Sequence, residues 1–154
     1  MRIPSPAPKI MLNKELTDIF LGIVKKADKL ISDFVDKQDL TGKIDFLSIY
    51  TQSPEELKTN GSVADIQPTG NYYWLSDPLK TVLRVIRRCR VRMPDIEYTE
   101  RGYVDFEVRN YIYFKDKYLQ KSNFIEITSP KGVEMIELKV PRSDIRIYFP
   151  NVQF

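Results

Sequence analysis

Histidine is missing from this chain of 154 residues, and cysteine occurs once, as Cys89. The first absence removes imidazole general bases, Ser-His and Cys-His nucleophile pairs, and most transition-metal sites. The second excludes an intramolecular disulfide and leaves no Cys-based zinc or iron-sulfur site within one chain. A lone cysteine suits the cytoplasm or another reducing intracellular compartment better than a secreted setting. Glycine is sparse: six residues, scattered, with no G-x-x-x-x-G-K or G-x-G-x-x-G run to cradle a phosphate. No apolar run approaches the ~20 residues of a membrane span, and the opening "MRIPSPAPKIML" lacks the apolar core of a signal peptide. The reading is therefore of a chain with no cofactor, no metal and no transmembrane segment. At most it contacts a membrane surface.

What is present is a balanced, core-forming composition. With 42% hydrophobic and 12% aromatic residues, the chain is long enough to bury roughly two thirds of its unfolded surface in one domain. Its 24 basic and 21 acidic residues leave a net charge of +3, too small a surplus to imply a polyanionic partner by itself. Clustering must carry any such claim.

Residues 1–12, with Pro4, Pro6 and Pro8, read as an extended arm, and residues 13–154 as a single α+β domain. After Asn13, a suitable N-cap, apolar residues recur in steps of three and four from Leu16 to Val35. That spacing predicts a long amphipathic helix ending near Lys37. A strand is expected at 43–50, and a short helix with a capping box at 53–57. Residues 59–71 read as a long loop. Asp77 and Pro78 then precede Leu79, Val82, Leu83 and Ile86, the spacing of a second helix. From Cys89 the period changes to two, and from residue 95 onward every segment reads as strand, 103–114 included. The expected architecture is two helices packed on a mainly antiparallel β-meander in the C-terminal half.

The sharpest local feature is "RVIRRCRVRM". It sets Arg84, Arg87 and Arg88 on one face of the expected helix and Arg90 and Arg92 on one face of the following strand. Such a patch can bind phosphate or an acidic partner, because the planar guanidinium fork grips either in two places. The structural alternative is a set of cations complementing the helix dipole. Beside it in sequence, Tyr72, Tyr73 and Trp74 are adjacent, so at least one faces outward and offers a stacking surface. Tyr103, Tyr111 and Tyr113 alternate with apolar residues and read as an association stripe on one long strand.

Catalytic signals are thin. "IELKV" places Glu137 and Lys139 in a spacing that resembles the E-x-K of metal-dependent nucleases of the PD-(D/E)xK type, which would also need Asp116 or Asp95 as an upstream acid and would use Mg²⁺. Asp105 and Glu107 look like surface ion pairing with Arg109 rather than a glycosidase pair. No catalytic residue is assigned. The sequence reads best as a non-enzymatic assembly or adaptor protein that associates with itself or another protein, a type common among small structural proteins, viral ones included. The alternative is an RNA- or DNA-binding module built on the arginine cluster, and a Mg²⁺-dependent nuclease is the minor one.

Overall fold

Between Lys14 and Ser32 the three-and-four spacing winds into helix α1 (Lys14–Ser32), which buries Leu16, Phe20, Ile23, Val24, Ala27 and Ile31 along one side. Each of these side chains other than Ala27 contributes about 1.5–3 kcal/mol on leaving water. The helix ends before Lys37. The N–H groups of Phe34 and Val35 both donate to Ile31 O, at 3.0 and 2.8 Å, and Lys37–Asp39 form a 3-10 turn. The computed structural model of the chain describes residues 9–10, 12, 14–50, 69–92 and 100–152. The expected short helix at 53–57, most of the 59–71 loop and the strand beginning at residue 95 lie outside them.

The strands are β1 (Lys9–Ile10), β2 (Leu40–Tyr50), β3 (Thr69–Lys80), β4 (Val85–Arg92), β5 (Gly102–Val108), β6 (Phe124–Thr128), β7 (Glu134–Leu138) and β8 (Ile145–Pro150), with helix α2 (Tyr111–Tyr118) after β5. They form one eight-stranded sheet in the order β1-β3-β4-β2-β5-β8-β7-β6. The α+β expectation holds, but the meander does not extend through the sheet. Three of the seven neighbouring pairs, β1/β3, β2/β4 and β5/β8, are parallel, and strands consecutive in the chain pair antiparallel only at β3-β4 and along β6-β7-β8. Residues 9–10 of the expected arm join the sheet beside Trp74 and Leu75.

Two elements differ from the sequence expectation, each for a local reason. The predicted helix over 77–88 is a hairpin. Thr81 N–H donates to Arg84 O at 2.9 Å and Thr81 Oγ1 accepts from the Arg84 and Leu83 amides, closing a turn that sends β3 back as β4. Pro78 sits where the β3–β4 register shifts between Trp74 and Leu79, a place where a strand tolerates a missing donor. Val82, fully exposed, is at the hairpin tip. The predicted strand over 103–114 stops at Val108. Asn110 takes an extended backbone and its Oδ1 accepts the Tyr113 amide at 3.0 Å, capping α2.

The two helices among the described residues lie on the same side of the sheet. Helix α1 packs over β5 and β8. In α2, Phe114 meets Phe149 of β8 at 4.6 Å and Phe124 of β6 at 6.4 Å between ring centroids, and Phe149 in turn stacks on Phe106 of β5. A polar clasp ties α2 to the α1–β2 turn. Tyr118 Oη donates to Asp39 at 2.5 Å and accepts from the Asp36 amide at 2.8 Å, while Lys117 Nζ bridges Asp36 and Asp39 at 2.6 and 2.8 Å.

Helix α1 packs close to the sheet at Gly102. A Cβ there would run into the backbone carbonyl of Ser48 on β2 and lie 3.2 Å from Ile23 Cδ1 of the helix. Since the carbonyl belongs to a paired strand it cannot yield without opening the β2–β5 seam. Gly102→Ala is therefore expected to cost about 3 kcal/mol in urea unfolding. A loss under about 1 kcal/mol would show that the seam accommodates the methyl group.

Candidate interaction face of the sheet

Strand alternation assigns residues a side, with a break in β2 and β4 where Ile44 and Leu47, and their partners Ile86 and Cys89, are three apart and all in the core. Toward the helices point Leu47 and Ile49 of β2, Ile86, Cys89 and Val91 of β4, Val104, Phe106 and Val108 of β5, and Ile145, Ile147 and Phe149 of β8, all buried. Their neighbours in sequence point the other way. That face, which carries no helix among the described residues and is called helix-free in that sense, holds Trp74, Phe46, Ser48, Tyr50, Arg88, Arg90, Arg92, Tyr103, Asp105, Glu107, Glu137, Arg146 and Tyr148.

Register sets the layout. Trp74 is opposite Arg88, Ser48 lies between Arg90 and Tyr103, and Tyr50 lies beside Arg92. Asp105 has Phe46 on one side and Tyr148 on the other, and Tyr148 adjoins Glu137. The arginines of β4 thus form a row whose guanidinium groups lie over aromatic rings. Arg88 is 4.7 Å from the Phe46 centroid and 5.3 Å from Trp74; Arg90 is 5.3 Å from Phe46 and 5.5 Å from Tyr103; Arg92 is 5.2 Å from Tyr50. Each contact is worth about 0.5–2 kcal/mol, more where water is excluded. Farther along, Tyr103 meets Tyr148 edge-on at 5.8 Å, and Arg146 holds Glu100 at 3.0 Å.

Acids lie within this row of cations and rings, and they are buried. Asp105, Glu107 and Glu137 have 9%, 6% and 4% of their surface exposed. Glu137 is paired with Lys139 at 2.8 Å. Asp105 Oδ1 and the wholly buried Ser48 Oγ have no hydrogen-bond partner among the described residues. Burial pushes the Asp105 carboxyl up to about 7, against the pull of the Arg90 and Arg88 charges. Burial also lowers Arg88, with Asp105 opposing. On the helix side, burial pushes the Cys89 thiol up to about 12, which makes it an inert core residue.

The structure separates the residues that the sequence grouped. Arg84 leaves the cluster: it is buried on the helix side, its Nε donates to Asp28 of α1 at 2.7 Å, and its guanidinium lies 5.0 Å from the Phe106 centroid. Arg87 is exposed, whereas Arg88, Arg90 and Arg92 are half-buried along one strand instead of straddling a helix end. Tyr73 is a core residue paired with Cys89, Trp74 is half-buried on the helix-free face, and Tyr72 pairs with Arg90 through the backbone. The stripe of Tyr103, Tyr111 and Tyr113 does not exist as a strand face. Tyr103 is on β5, Tyr111 is buried at the start of α2, and Tyr113 is exposed on α2 across the sheet from Tyr103. Asp105 and Glu107 are buried, not a surface pair with exposed Arg109. Asp116 is exposed on α2, on the opposite side of the sheet from Glu137, and Asp95 lies outside the described residues. Among the described residues no three Asp, Glu or Cys side chains converge as metal ligands, and no helix is long and apolar enough to cross a membrane.

Sequence reasoning missed Phe46, Tyr50 and Tyr148. The signal was the period-two pattern of "KIDFLSIY" and "DIRIYF", which places these rings opposite the core residues. No family model matches the chain, and neither a curated protein nor a solved structure is similar to it.

Two expectations follow. Removing Arg84 leaves Asp28 partly buried without its cation, so Arg84→Ala should cost about 3 kcal/mol, and the double change with Asp28→Ala should cost less than the sum of the singles. Additive losses in urea titrations would mean the pair is not coupled. Asp105 titrates at about 7 in the folded chain against 3.8 for an ordinary aspartate, so the folded state retains the proton longer. Its contribution to stability is full below about pH 4 and lost as pH rises through about 7. Asp105→Asn, permanently neutral, should flatten the decline of unfolding free energy across that window. Parallel curves for the two proteins would contradict the assignment.

Proposed function

We propose that this chain is a non-enzymatic assembly or adaptor protein that joins further copies or another protein through the helix-free face of its sheet. The supporting observation is the composition of that face. Trp74, Tyr50, Tyr103, Tyr148 and three arginines lie together on strands β3, β4, β2, β5 and β8, and tryptophan, tyrosine and arginine are the residues in which binding energy concentrates at protein interfaces. Trp74, Tyr103, Tyr148 and the three arginines are half-buried there and Tyr50 is buried, whereas the helix side is mainly an aliphatic and aromatic core.

The charge pattern favours protein over nucleic acid. Asp105, Glu107 and Glu137 are set among the arginines, and a phosphate backbone passing across the face would meet them. Arg84 no longer contributes. The nucleic-acid reading retains one specific observation, the unbroken row Arg88, Arg90, Arg92 beside Trp74.

The test pairs Trp74→Ser with Tyr103→Ser. For a binding surface, the double variant should unfold within about 1 kcal/mol of wild type, because interface residues are selected for contact and not for the isolated fold. Light scattering of the wild type at about 0.1 mM should give a mass above the 18.1 kDa monomer, and the variant a mass near it. A stability-neutral variant of a monomeric wild type would assign the face to a different protein. A monomeric wild type whose variant loses the roughly 3–5 kcal/mol of a truncated core aromatic would make the face a second core layer and overturn the proposal.

A further inference from the structure

We propose that the open edge of the sheet, strand β6, pairs antiparallel with β6 of a second copy of this chain about a two-fold axis at Ile127, joining two eight-stranded sheets into one. This interface is distinct from the helix-free face and does not depend on that face being a contact surface.

The backbone sets the geometry. Strand β6 ends the strand order, and among the described residues it pairs with β7 alone. Lys139 N–H donates to Asn123 O at 2.7 Å and Ser129 N–H donates to Val133 O at 2.8 Å, one step beyond the two ends of the β6–β7 ladder. The odd-numbered residues of β6 therefore direct their N–H and C=O groups to β7, and the even-numbered ones direct theirs outward. Phe124 N–H is taken by Lys121 O at 3.1 Å. Glu126 and Thr128 each keep an outward donor and an outward acceptor with no partner among the described residues. A row of this kind is a template for another strand. Edges that stay single are blunted by shortness, lysine, proline or a bulge. The opposite edge, β1, has two such devices, being two residues long and carrying Lys9. Strand β6, "FIEIT", has neither lysine nor proline, and its register with β7 is unbroken.

Self-complementarity names the occupant. With Ile127 opposite its own symmetry mate, Glu126 falls opposite Thr128 of the second copy and Thr128 opposite its Glu126. Each such pair exchanges both N–H···O=C bonds, so every outward group of the two residues is satisfied. The ladder stops where its donors do, because Phe124 then faces Pro130: the amide of the first is already bonded and the second has none. No like charges face each other. Sliding the strands so that Glu126 faces itself would oppose two carboxylates directly, which disfavours that register. The side chains agree with the backbone. Ile125 and Ile127 lie opposite Glu137 and Met135, on the helix-free side, and Ile125 is 39% exposed. In the chosen register Ile127 meets its mate at the close, non-hydrogen-bonded spacing, with Ile125 on the diagonal.

The contact is small. Two bonded pairs and a few isoleucines fall below the size of a stable dimer interface, so the dissociation constant is expected on the order of 1 mM. At about 0.1 mM the pairing leaves the mass unchanged, whereas copies gathered by another contact reach millimolar effective concentrations and close the edge.

The test is a disulfide trap in the intact chain, whose own Cys89 is buried and inert. Ile127→Cys and Ile125→Cys are each left to oxidise in air at about 0.5 mM, near the expected dissociation constant, and followed on non-reducing gels. Opposed Cα atoms about 4.5 Å apart suit a disulfide. Ile127→Cys is expected to give covalent dimer about tenfold faster than Ile125→Cys, although Ile125 is the more exposed position and random collision would give the reverse order. Adding Thr128→Pro to Ile127→Cys removes an N–H with no use inside the chain, in an edge strand that tolerates proline, and should slow cross-linking about tenfold. The comparison of the two cysteines holds even if the proline variant folds poorly. Equal rates at the two positions, faster linking at 125, or an unaltered rate in a folded Thr128→Pro protein overturns the proposal. Repeating the comparison in the Trp74→Ser, Tyr103→Ser chain keeps the two readings apart, since the same order of the cysteines is expected there whatever happens to the mass.

Discussion

The two helices among the described residues lie on one side of an eight-stranded sheet, and this constraint governs the chemistry of its central strands. A residue pointing toward α1 and α2 must be apolar or fully paired, which is why Leu47, Cys89, Val104 and Ile147 are aliphatic or a neutral thiol. Their neighbours face away, and there Ser48, Asp105 and Glu107 are buried yet polar. The helix-free face resolves its own packing with arginine over aromatic rings, which removes apolar surface from water while keeping a charge at the rim. One side of the sheet is built to hold the fold, and the other has the composition of a contact surface.

Arginine illustrates the division. Arg84 and Arg88 are four residues apart, yet the first is locked against Asp28 beneath α1 and the second lies over Phe46 and Trp74 on the opposite side. Arg84 ends the turn closed by Thr81, and Arg88 follows within β4, beyond Ile86 and before Cys89, where the alternation breaks. Asp105 carries the complementary tension. It is a carboxylate held where burial favours its neutral form, near cations that favour its charged form, with the balance falling close to neutrality.

Much of this was legible in the chain and some was not. Helix α1 was readable because its apolar steps persist over five turns and a suitable cap precedes them, and strands β2, β6, β7 and β8 because alternation and turn residues agree. The hairpin at 81–84 was hidden by coincidence of spacing: Leu79, Val82, Leu83 and Ile86 satisfy a helical period, yet Val82 is fully exposed at a turn. Thr81, Val82, Val85 and Ile86 are β-branched and favoured strand, and tertiary pairing with β2 decided the matter. Helix α2 was obscured because Tyr111–Phe114 alternate polar and apolar rims for too short a span, and only the Asn110 cap breaks the period. The arginine row could be located in sequence but not assigned to a side. Which neighbours it meets depends on the β4–β2–β5 order, and a parallel β2–β4 pairing across more than thirty residues leaves no local trace.

The central claim, that the helix-free face is where this protein meets a partner, is tested most directly by hydroxyl-radical footprinting. Oxidation of the dilute chain is compared with that of the concentrated chain. The account predicts protection of Trp74, Tyr103 and Tyr148 on association, with Tyr113 and Ile112 of α2 oxidised equally in all states. Protection of Tyr113 and Ile112 with Trp74, Tyr103 and Tyr148 unchanged would place the contact on the helix side and contradict it.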